Sequence, residues 1–572
     1  MQKTYQKWLN EPSMDEALKA ELKQMSKQDI EDAFYKDLAF GTGGMRGIMG
    51  AGTNRLNIYT LRRAIHAYAK YLLNRYDEAK QKGVVISHDN RYQSTTFAKE
   101  ASRVFSSYGI KSYLFDALRP TPELSFAVRY HQAVGGIMVT ASHNPPAYNG
   151  VKMYDEQGCQ LVPDLADQVI EAFQALEDVF ALEVMNFDDA LKQGLVDLIG
   201  SQTDQAYVKE VLGIQLKPNA QKTLKIAFSP LHGATREIGL MTLKQAGYQV
   251  EPVISQMTID PKFTTVDSPN PENEAAFEET KKVARKINAD LLIATDPDGD
   301  RLGLMALHQG KYQFLTGNET GAIFIDYLAK TLKANQALPK KGVLYNTIVT
   351  SEFGAAIAKS YGLRVESTLT GFKFIGEKME ALKATDETFV MGYEESYGYV
   401  IKDFVRDKDA VQAMLLAAEI ANDLKQKGKT LIDYMHELRQ THGFYKDTLL
   451  NIVHEGKTGE ALIQNIMDAF RAMDLKRLGD KSLICKEDYL QSKRYVDGKA
   501  TSLGYPKSNV LKFIFENDIW FVLRPSGTEP KLKVYINVLG ETKEAAASEL
   551  EVLKRFIEEK IASIEKQKDV VL

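Results

Sequence analysis

The chain has 572 residues, room for about four domains at roughly 150 residues each. Its 44% hydrophobic and 26% charged content is that of a soluble globular protein and excludes disorder along the whole chain. Lys+Arg of 72 against Asp+Glu of 76 leaves a net charge of −4, which gives neither nucleic acid nor an anionic membrane a reason to bind.

Two cysteines, Cys159 and Cys485, form no CxxC and no zinc spacing. A disulfide-stapled scaffold is excluded and a reducing, cytoplasmic setting is expected. The N-terminal MQKTYQKWLNEPSMDE lacks the apolar run of a signal peptide, and no uncharged apolar stretch of about 18 residues occurs.

In chain order, residues 1–38 read as helix with Trp8, Leu9 and Leu18 as scattered anchors. GVVISHD (83–89), KSYLFDA (111–117) and GGIMVTAS (135–142) read as buried strands, with a helix over 95–109 ending on Gly109. The alternation returns at LKIAFSP (224–230), YQVEPVI (248–254), ADLLIATD (289–296), GVLYNTIVTS (342–351), LRVESTLTG (363–371) and TFVMGYEES (388–396). This predicts an α/β fold with mixed, mostly parallel sheets. The tail differs: NDIWFVLRPSGTEPKLKVYINV (517–538) reads as two antiparallel strands and 541–564 as a charged helix, a smaller α+β layer.

The polar clusters follow the apolar runs directly, where open α/β sheets place their ligands. In TDPDGDR, Asp296, Asp298 and Asp300 stand at i, i+2 and i+4; carboxylates that close repel unless a cation neutralises them, and an oxygen-only set suits Mg²⁺, Ca²⁺ or Mn²⁺. An EF-hand fails, because its sixth position holds Arg301 and its twelfth Leu307. In TASHNPPAYNGVK, the Asn144-Pro145-Pro146 run would present Ser142; His143 is adjacent but, in an extended segment, would point to the opposite face. In RPSGTEPK, Arg524, Ser526, Gly527 and Thr528 suit a phosphate, or a plain hairpin turn. FGTGGMRGIMG (40–50) is Gly-rich with one cation, Arg46, and is not a Walker A loop. GYEESYGY offers Glu394 and Ser396 to a vicinal diol, or caps a helix. LTGFKF places Lys373 after Thr370 and Gly371, a sugar or phosphate contact or an ordinary surface lysine.

FGTGGMRG, HDNRYQS, TASHNPP with NG-x-K, DPDGDR, TGFK, GYEES and RPSGTEP, in that order, resemble the α-D-phosphohexomutase family of phosphoglucomutases and phosphomannomutases. The likeness covers nearly the whole chain and is weakest in 1–38 and in about 455–510. It implies three related α/β domains and a C-terminal α+β domain around a central cleft: 1–210 with a phosphoserine loop, 211–316 with a metal loop, 317–445 with a sugar loop, and 446–572 with a phosphate grip. It implies that Ser142 carries the phosphoryl group and that Asp296, Asp298 and Asp300 bind Mg²⁺ together with a phosphoserine oxygen. Glu394 and Ser396 would hold sugar hydroxyls, with Thr370 and Gly371 beside them. Arg524, Ser526, Gly527 and Thr528 would grip the phosphate not being transferred. Lys152, Lys373 or His143 would move the proton, and Arg301, Lys152 and Arg46 would face the transferring phosphoryl oxygens.

The implied activity interconverts sugar 1- and 6-phosphates through a 1,6-bisphosphate, glucose 1,6-bisphosphate if the sugar is glucose. Tyr393 and Tyr397 depart from the common G-E-x-S-G sugar loop and resemble the branch holding bacterial phosphoglucomutases and phosphopentomutase-like enzymes. Glucose is favoured; mannose and pentose phosphates stay open. Outside the class, a metal-dependent sugar phosphatase would need no remote phosphate grip, and a phosphosugar-binding regulator would lack the nucleophile and metal set.

Overall fold

The computed structural model describes residues 1–41, 43–454, 456–526 and 531–569. They fall into two compact units, one of Met1–Tyr345 with Gly371–Ile432, the other of Asn346–Thr370 with residues 433 onward.

The first 38 residues form three helices rather than one: Gln2–Asn10, Glu16–Gln24 and Lys27–Phe34. Each restart is capped. Asp15 accepts the Ala17 and Leu18 N–H groups, and Ser26 with Asp29 forms a reciprocal capping box. The scattered apolar anchors converge, with Trp8 packing edge-on against Phe34, Tyr59 and Phe180 at 5.8, 5.7 and 5.3 Å.

A seven-stranded sheet runs Phe40–Gly41, Gly44–Ile48, Tyr148–Tyr154, Gly135–Val139, Val84–His88, Ser112–Phe115, Val196–Ile199. Its last four strands are parallel, and the two central ones, Gly135–Val139 and Val84–His88, are buried throughout, which is why they read as unbroken apolar runs. Tyr148–Tyr154 and Gly44–Ile48 add an antiparallel flank. Gly44 is required there, since a Cβ would stand 1.9 Å from the Val151 carbonyl oxygen.

The second sheet runs Lys311–Leu315, Leu302–His308, Leu291–Thr295, Lys225–Ser229, Gln249–Pro252. Gln249–Pro252 is its edge and alternates between exposed and half-buried, so the segment read as a buried strand is buried on one side only. A third sheet pairs Gly342–Tyr345 in parallel with Thr388–Gly392, whose strand returns antiparallel through Gly398–Val400. Helix Ala410–Gln426 behind it is buried on nearly every residue. In the first two sheets parallel pairing thus runs from the middle to one edge, as the strand–helix alternation predicts, and antiparallel strands complete the other side, in equal number of pairs.

The second unit carries an antiparallel sheet in the order Phe444–Val453, Lys531–Gly540, Trp520–Pro525, Leu511–Phe515, Lys481–Asp488, Lys493–Val496, Lys499–Ser502. The C-terminal helix lays Leu550, Leu553, Ile557 and Ile561 into its core, a 3-4-4 spacing. Each such side chain, fully buried, contributes roughly 1.5–3 kcal/mol over its exposed state. No helix among the described residues is long and apolar enough to cross a membrane.

Candidate functional site

Ser142 begins the connection between two antiparallel strands, Gly135–Val139 and Tyr148–Tyr154. The backbone there is not extended: Ser142 has φ +50°, a left-handed conformation costing a non-glycine residue roughly 1 kcal/mol or more. The loop is held by buried polar groups. Thr140 Oγ1 donates to Asp89 Oδ2 (2.6 Å) and accepts the Ser142 N–H (2.8 Å). The buried guanidinium of Arg91 donates to the carbonyls of Ser142 (2.5 Å), Pro145 (2.9 Å), Tyr148 (3.0 Å) and Asn144, and pairs with Asp89 at 3.3 Å. Ser142 is only 4% exposed, so it is presented to a buried site and not to a surface loop.

Its hydroxyl donates to Asp298 Oδ2 at 3.2 Å. Lys152, on the return strand, donates to Asp298 Oδ2 (2.6 Å) and Asp300 Oδ2 (3.0 Å). Strand pairing sets Gly44 opposite Lys152 and Arg46 opposite Gly150, which puts Arg46 and Lys152 on one face of the sheet. Arg46 donates to Asn144 Oδ1 at 2.8 Å.

Asp296, Asp298 and Asp300 occupy the connection between Leu291–Thr295 and Leu302–His308. All three are buried, with one ligand atom from each lying within 4.8 Å of the others. The Asp296 carboxylate takes the N–H groups of Asp300 and Arg301 on Oδ1, closing the loop on itself. Asp296 Oδ2, Asp298 Oδ1 and Asp300 Oδ1 find no hydrogen-bond donor among the described residues. Three clustered, buried carboxylates, each with an undonated oxygen and with no sulfur or imidazole in the cluster, fit a hard divalent cation such as Mg²⁺.

Burial and the Asp300 charge oppose ionisation of Asp298, but Lys152 overcomes them and holds this carboxyl below the usual range. At Asp300 burial is overcome by Lys152, Lys408 and Arg301, and the carboxyl sits far below the usual range. Burial plus the charges of Asp300 and Asp298 push Asp296 well above it, against Arg301. Lys152 stays charged: burial lowers its pKa, but Asp298 and Asp300 raise it further. His143 does not pair with Ser142. Burial, with Arg301 and Arg46 nearby, drives its pKa well below 6.5, so the ring is neutral and resists taking a proton.

The sugar-loop candidates lie on the same body. Glu394 ends strand Thr388–Glu394 and accepts the Gly371 N–H at 2.9 Å. Ser396 lies in the short return to Gly398–Val400, half-buried. This return touches the metal loop: Leu302 N–H donates to the Tyr397 carbonyl at 3.0 Å, and Arg301 bridges to Gly398. Arg301 also pairs with Glu272. Lys373 is the second residue of helix Phe372–Leu382, its ammonium over the Phe374 ring at 5.3 Å.

Ser142, Lys152, Asp296, Asp298, Asp300, Arg301 and the Glu394 loop are therefore brought together within the first unit. Arg524 and Ser526 belong to the second, where the Ser526 N–H donates to the Lys531 carbonyl at 2.7 Å and closes the base of a hairpin. Thr370 ends the other segment of that unit. Gly527 and Thr528 lie outside the described residues.

The sequence was matched piece by piece to four domains described as phosphoglucomutase/phosphomannomutase alpha/beta/alpha domains I, II and III, over 37–179, 205–309 and 316–442, and the C-terminal domain of the same enzymes, over 452–554. Phosphoglucomutase of Staphylococcus epidermidis is 35% identical over 530 residues, 92% of this chain and 95% of that protein. The Staphylococcus aureus phosphoglucomutase is 36% identical over 534 residues, 92% and 94% of the two chains. The chain belongs to the phosphoglucomutase/phosphomannomutase family.

Family members with solved structures share the fold. Parafusin, a phosphoglucomutase from Paramecium, superposes with a TM-score of 0.69 at 18% identity, covering 92% of this chain and 95% of its own. A Burkholderia thailandensis member gives 0.65 at 18% identity, covering 94% and 98%.

Three residues of this candidate site, Asp89, Arg91 and Lys408, escaped the residue-by-residue reading. The HDNR motif was visible, but that Asp89 and Arg91 staple the serine loop depends on a sheet neighbour 50 residues away. Lys408 pairs with Asp300 Oδ2 at 3.3 Å and Asp407 Oδ1 at 3.2 Å. Its signal was a lysine between two aspartates in VRDKDA (405–410), which reads as an ordinary solvated run.

Proposed function

We propose that the chain is a phosphoglucomutase that interconverts glucose 1-phosphate and glucose 6-phosphate through a phosphoserine at Ser142 and enzyme-bound glucose 1,6-bisphosphate. The observation that carries this reading is the Ser142 hydroxyl held against a buried triad with three undonated oxygens. The phosphoglucomutases at 35–36% identity support glucose over mannose or pentose.

In the transfer, the P–Oγ bond of phosphoserine breaks and a P–O bond to a sugar hydroxyl forms; the proton that the hydroxyl gives up replaces the one that Lys152 returns to Ser142 Oγ. Asp296, Asp298 and Asp300 would hold Mg²⁺, which supplies charge neutralisation at the phosphoryl oxygens. Lys152, charged and anchored between Asp298 and Asp300, shares Asp298 Oδ2 with the Ser142 hydroxyl and is suited to return its proton. Neutral His143 has a weaker claim, since it is not hydrogen-bonded to Ser142 or the triad. Glu394, fixed through the Gly371 N–H, keeps carboxylate lone pairs for sugar hydroxyls. Arg524 and Ser526, on a hairpin of the second unit, suit the phosphate that is not transferring, which must be accepted in either orientation of the bisphosphate. The free, buried Cys159 and Cys485 accord with a cytoplasmic enzyme.

The test is a mixture of purified chain, glucose 1-phosphate, Mg²⁺ and catalytic glucose 1,6-bisphosphate. Glucose 6-phosphate as product supports the reading. Free phosphate alone would make the chain a phosphatase, and faster turnover of mannose 1-phosphate or ribose 1-phosphate in parallel would move the assignment within the family.

A further inference from the structure

We infer that Thr121 is a positioning residue that selects which oxygen of Asp298 is left for the cation. A carboxylate's two oxygens are chemically equivalent, yet here their surroundings are opposite. Asp298 Oδ2 receives three donors: Lys152 Nζ at 2.6 Å, Thr121 Oγ1 at 2.9 Å and Ser142 Oγ at 3.2 Å. Oδ1 receives none among the described residues.

The three donors differ in permanence. The Ser142 hydroxyl hydrogen is lost when the oxygen carries a phosphoryl group. The Lys152 ammonium is shared with Asp300 and sits on a flexible stem. Thr121 is fully buried, and its own backbone N–H also donates to the Asp298 carbonyl at 2.8 Å. One residue therefore grips Asp298 by main chain and side chain at once, and its grip is independent of the state of Ser142.

The support behind Thr121 is rigid. It opens helix Thr121–Tyr130 directly after Pro120. Three successive carbonyls of the metal loop each accept an N–H from the start of a different helix. Pro297 takes Ala234 at 2.8 Å, before helix Thr235–Gln245; Asp298 takes Thr121; Gly299 takes Ala410 at 3.3 Å, opening helix Ala410–Gln426. The loop is packed tightly among them: a Cβ on Gly299 would lie 2.8 Å from Pro120 Cβ and 2.5 Å from Thr235 Cγ2. Three positive helix ends also face a loop bearing three acidic residues, which favours their charge. Of these helix-start contacts only the Thr121 hydroxyl reaches a carboxylate oxygen, so among them it is the one that acts on the rotation of the Asp298 side chain.

The inference rests on Asp296, Asp298 and Asp300 being the cation site, and the experiment separates the two. Mg²⁺ binding to the full-length protein is measured by titration calorimetry for wild type, Thr121→Val, Thr121→Ser and Asp298→Asn, alongside the unfolding midpoint of each without metal. Removing a hydrogen bond to a charged group should weaken Mg²⁺ roughly tenfold in Thr121→Val. Thr121→Ser, which keeps the hydroxyl, should stay within about twofold of wild type on the same reasoning. Should Thr121→Val not fold, Thr121→Ala is read in its place. Wild-type Mg²⁺ affinity in the Val or Ala variant, with binding lost in Asp298→Asn, overturns the role of Thr121 alone. Equal weakening in the Val and Ser variants also overturns it, because the hydroxyl would then not be what matters. Unchanged binding in Asp298→Asn overturns the cation site and this inference with it.

Discussion

Ser142 joins a strained backbone to a single hydrogen bond, and the two have separate consequences. Ser142→Ala should abolish mutase turnover while shifting unfolding by only about 1 kcal/mol, the value of one ordinary hydrogen bond; near-normal turnover would remove Ser142 from the reaction. Glu123 carries a different kind of signal. It is fully buried, and no partner among the described residues reaches either oxygen. Burial and the nearby Asp204 charge push its carboxyl well above 4.5, against Arg119, so Glu123 keeps its proton. The folded chain keeps a proton that the unfolded chain releases above 4.5, so this stabilisation is complete at acid pH and is lost as pH rises toward the raised folded value. Glu123→Gln should therefore gain on wild type as pH rises from 4.5 toward that raised value, by up to about 1.4 kcal/mol per pH unit. Denaturant unfolding of both proteins at pH 5 and 7 checks it, and a constant difference would show that Glu123 is not the proton carrier.

Among elements, the recurring unit is the antiparallel return. TASHNPP, DPDGDR, GYEES and RPSGTEP each fall at the connection between two adjacent antiparallel strands. The sequence made the first strand of each pair plain, because buried runs such as ADLLIAT have no competing pattern. It also made the polar loop plain. The returns were less legible: LGLMALH (302–308) is buried almost throughout and carries no alternation to mark it antiparallel. Only KLKVYINV alternates, with Leu532, Val534, Ile536 and Val538 predicting one buried face, and there Tyr535 and Asn537 of the second face are buried as well. The Asp89–Arg91 staple was hidden for a related reason, since its targets are backbone carbonyls and carbonyls leave no trace in a sequence. The staple has a measurable role. Arg91→Lys keeps the charge but loses the fork that reaches four carbonyls, so the serine should be misplaced and kcat/KM should fall on the order of 10²-fold. Mg²⁺ affinity, set by the aspartate loop, should change far less. Equal losses in both would mean that Arg91 supports the metal loop rather than the serine.

On the scale of the whole molecule, the proposed function divides the work between the unit that holds Ser142, the aspartate triad and Glu394 and the unit that holds Arg524. Composition and strand rhythm announced the change of architecture near the C-terminus, but the exposed hairpin Lys493–Val496 with Lys499–Ser502 had no motif to reveal it. Arg524→Ala should reduce sugar-phosphate turnover by 10²-fold or more, the loss of a charge-assisted bidentate contact. Hydrolysis of phosphate from Ser142 should change little, because water brings no second phosphate to grip. A parallel fall in both rates would place Arg524 at the reacting phosphate.

The central claim is that one phosphoryl group travels through Ser142. Its most direct measurement is peptide mass spectrometry of the protein after incubation with glucose 1,6-bisphosphate and Mg²⁺, before and after a chase with glucose 1-phosphate. The account predicts a single phosphoryl group on the peptide containing Ser142, lost in the chase with an equal amount of glucose 1,6-bisphosphate formed. Phosphorylation at another residue, or loss of the group as free phosphate with no bisphosphate formed, would contradict it.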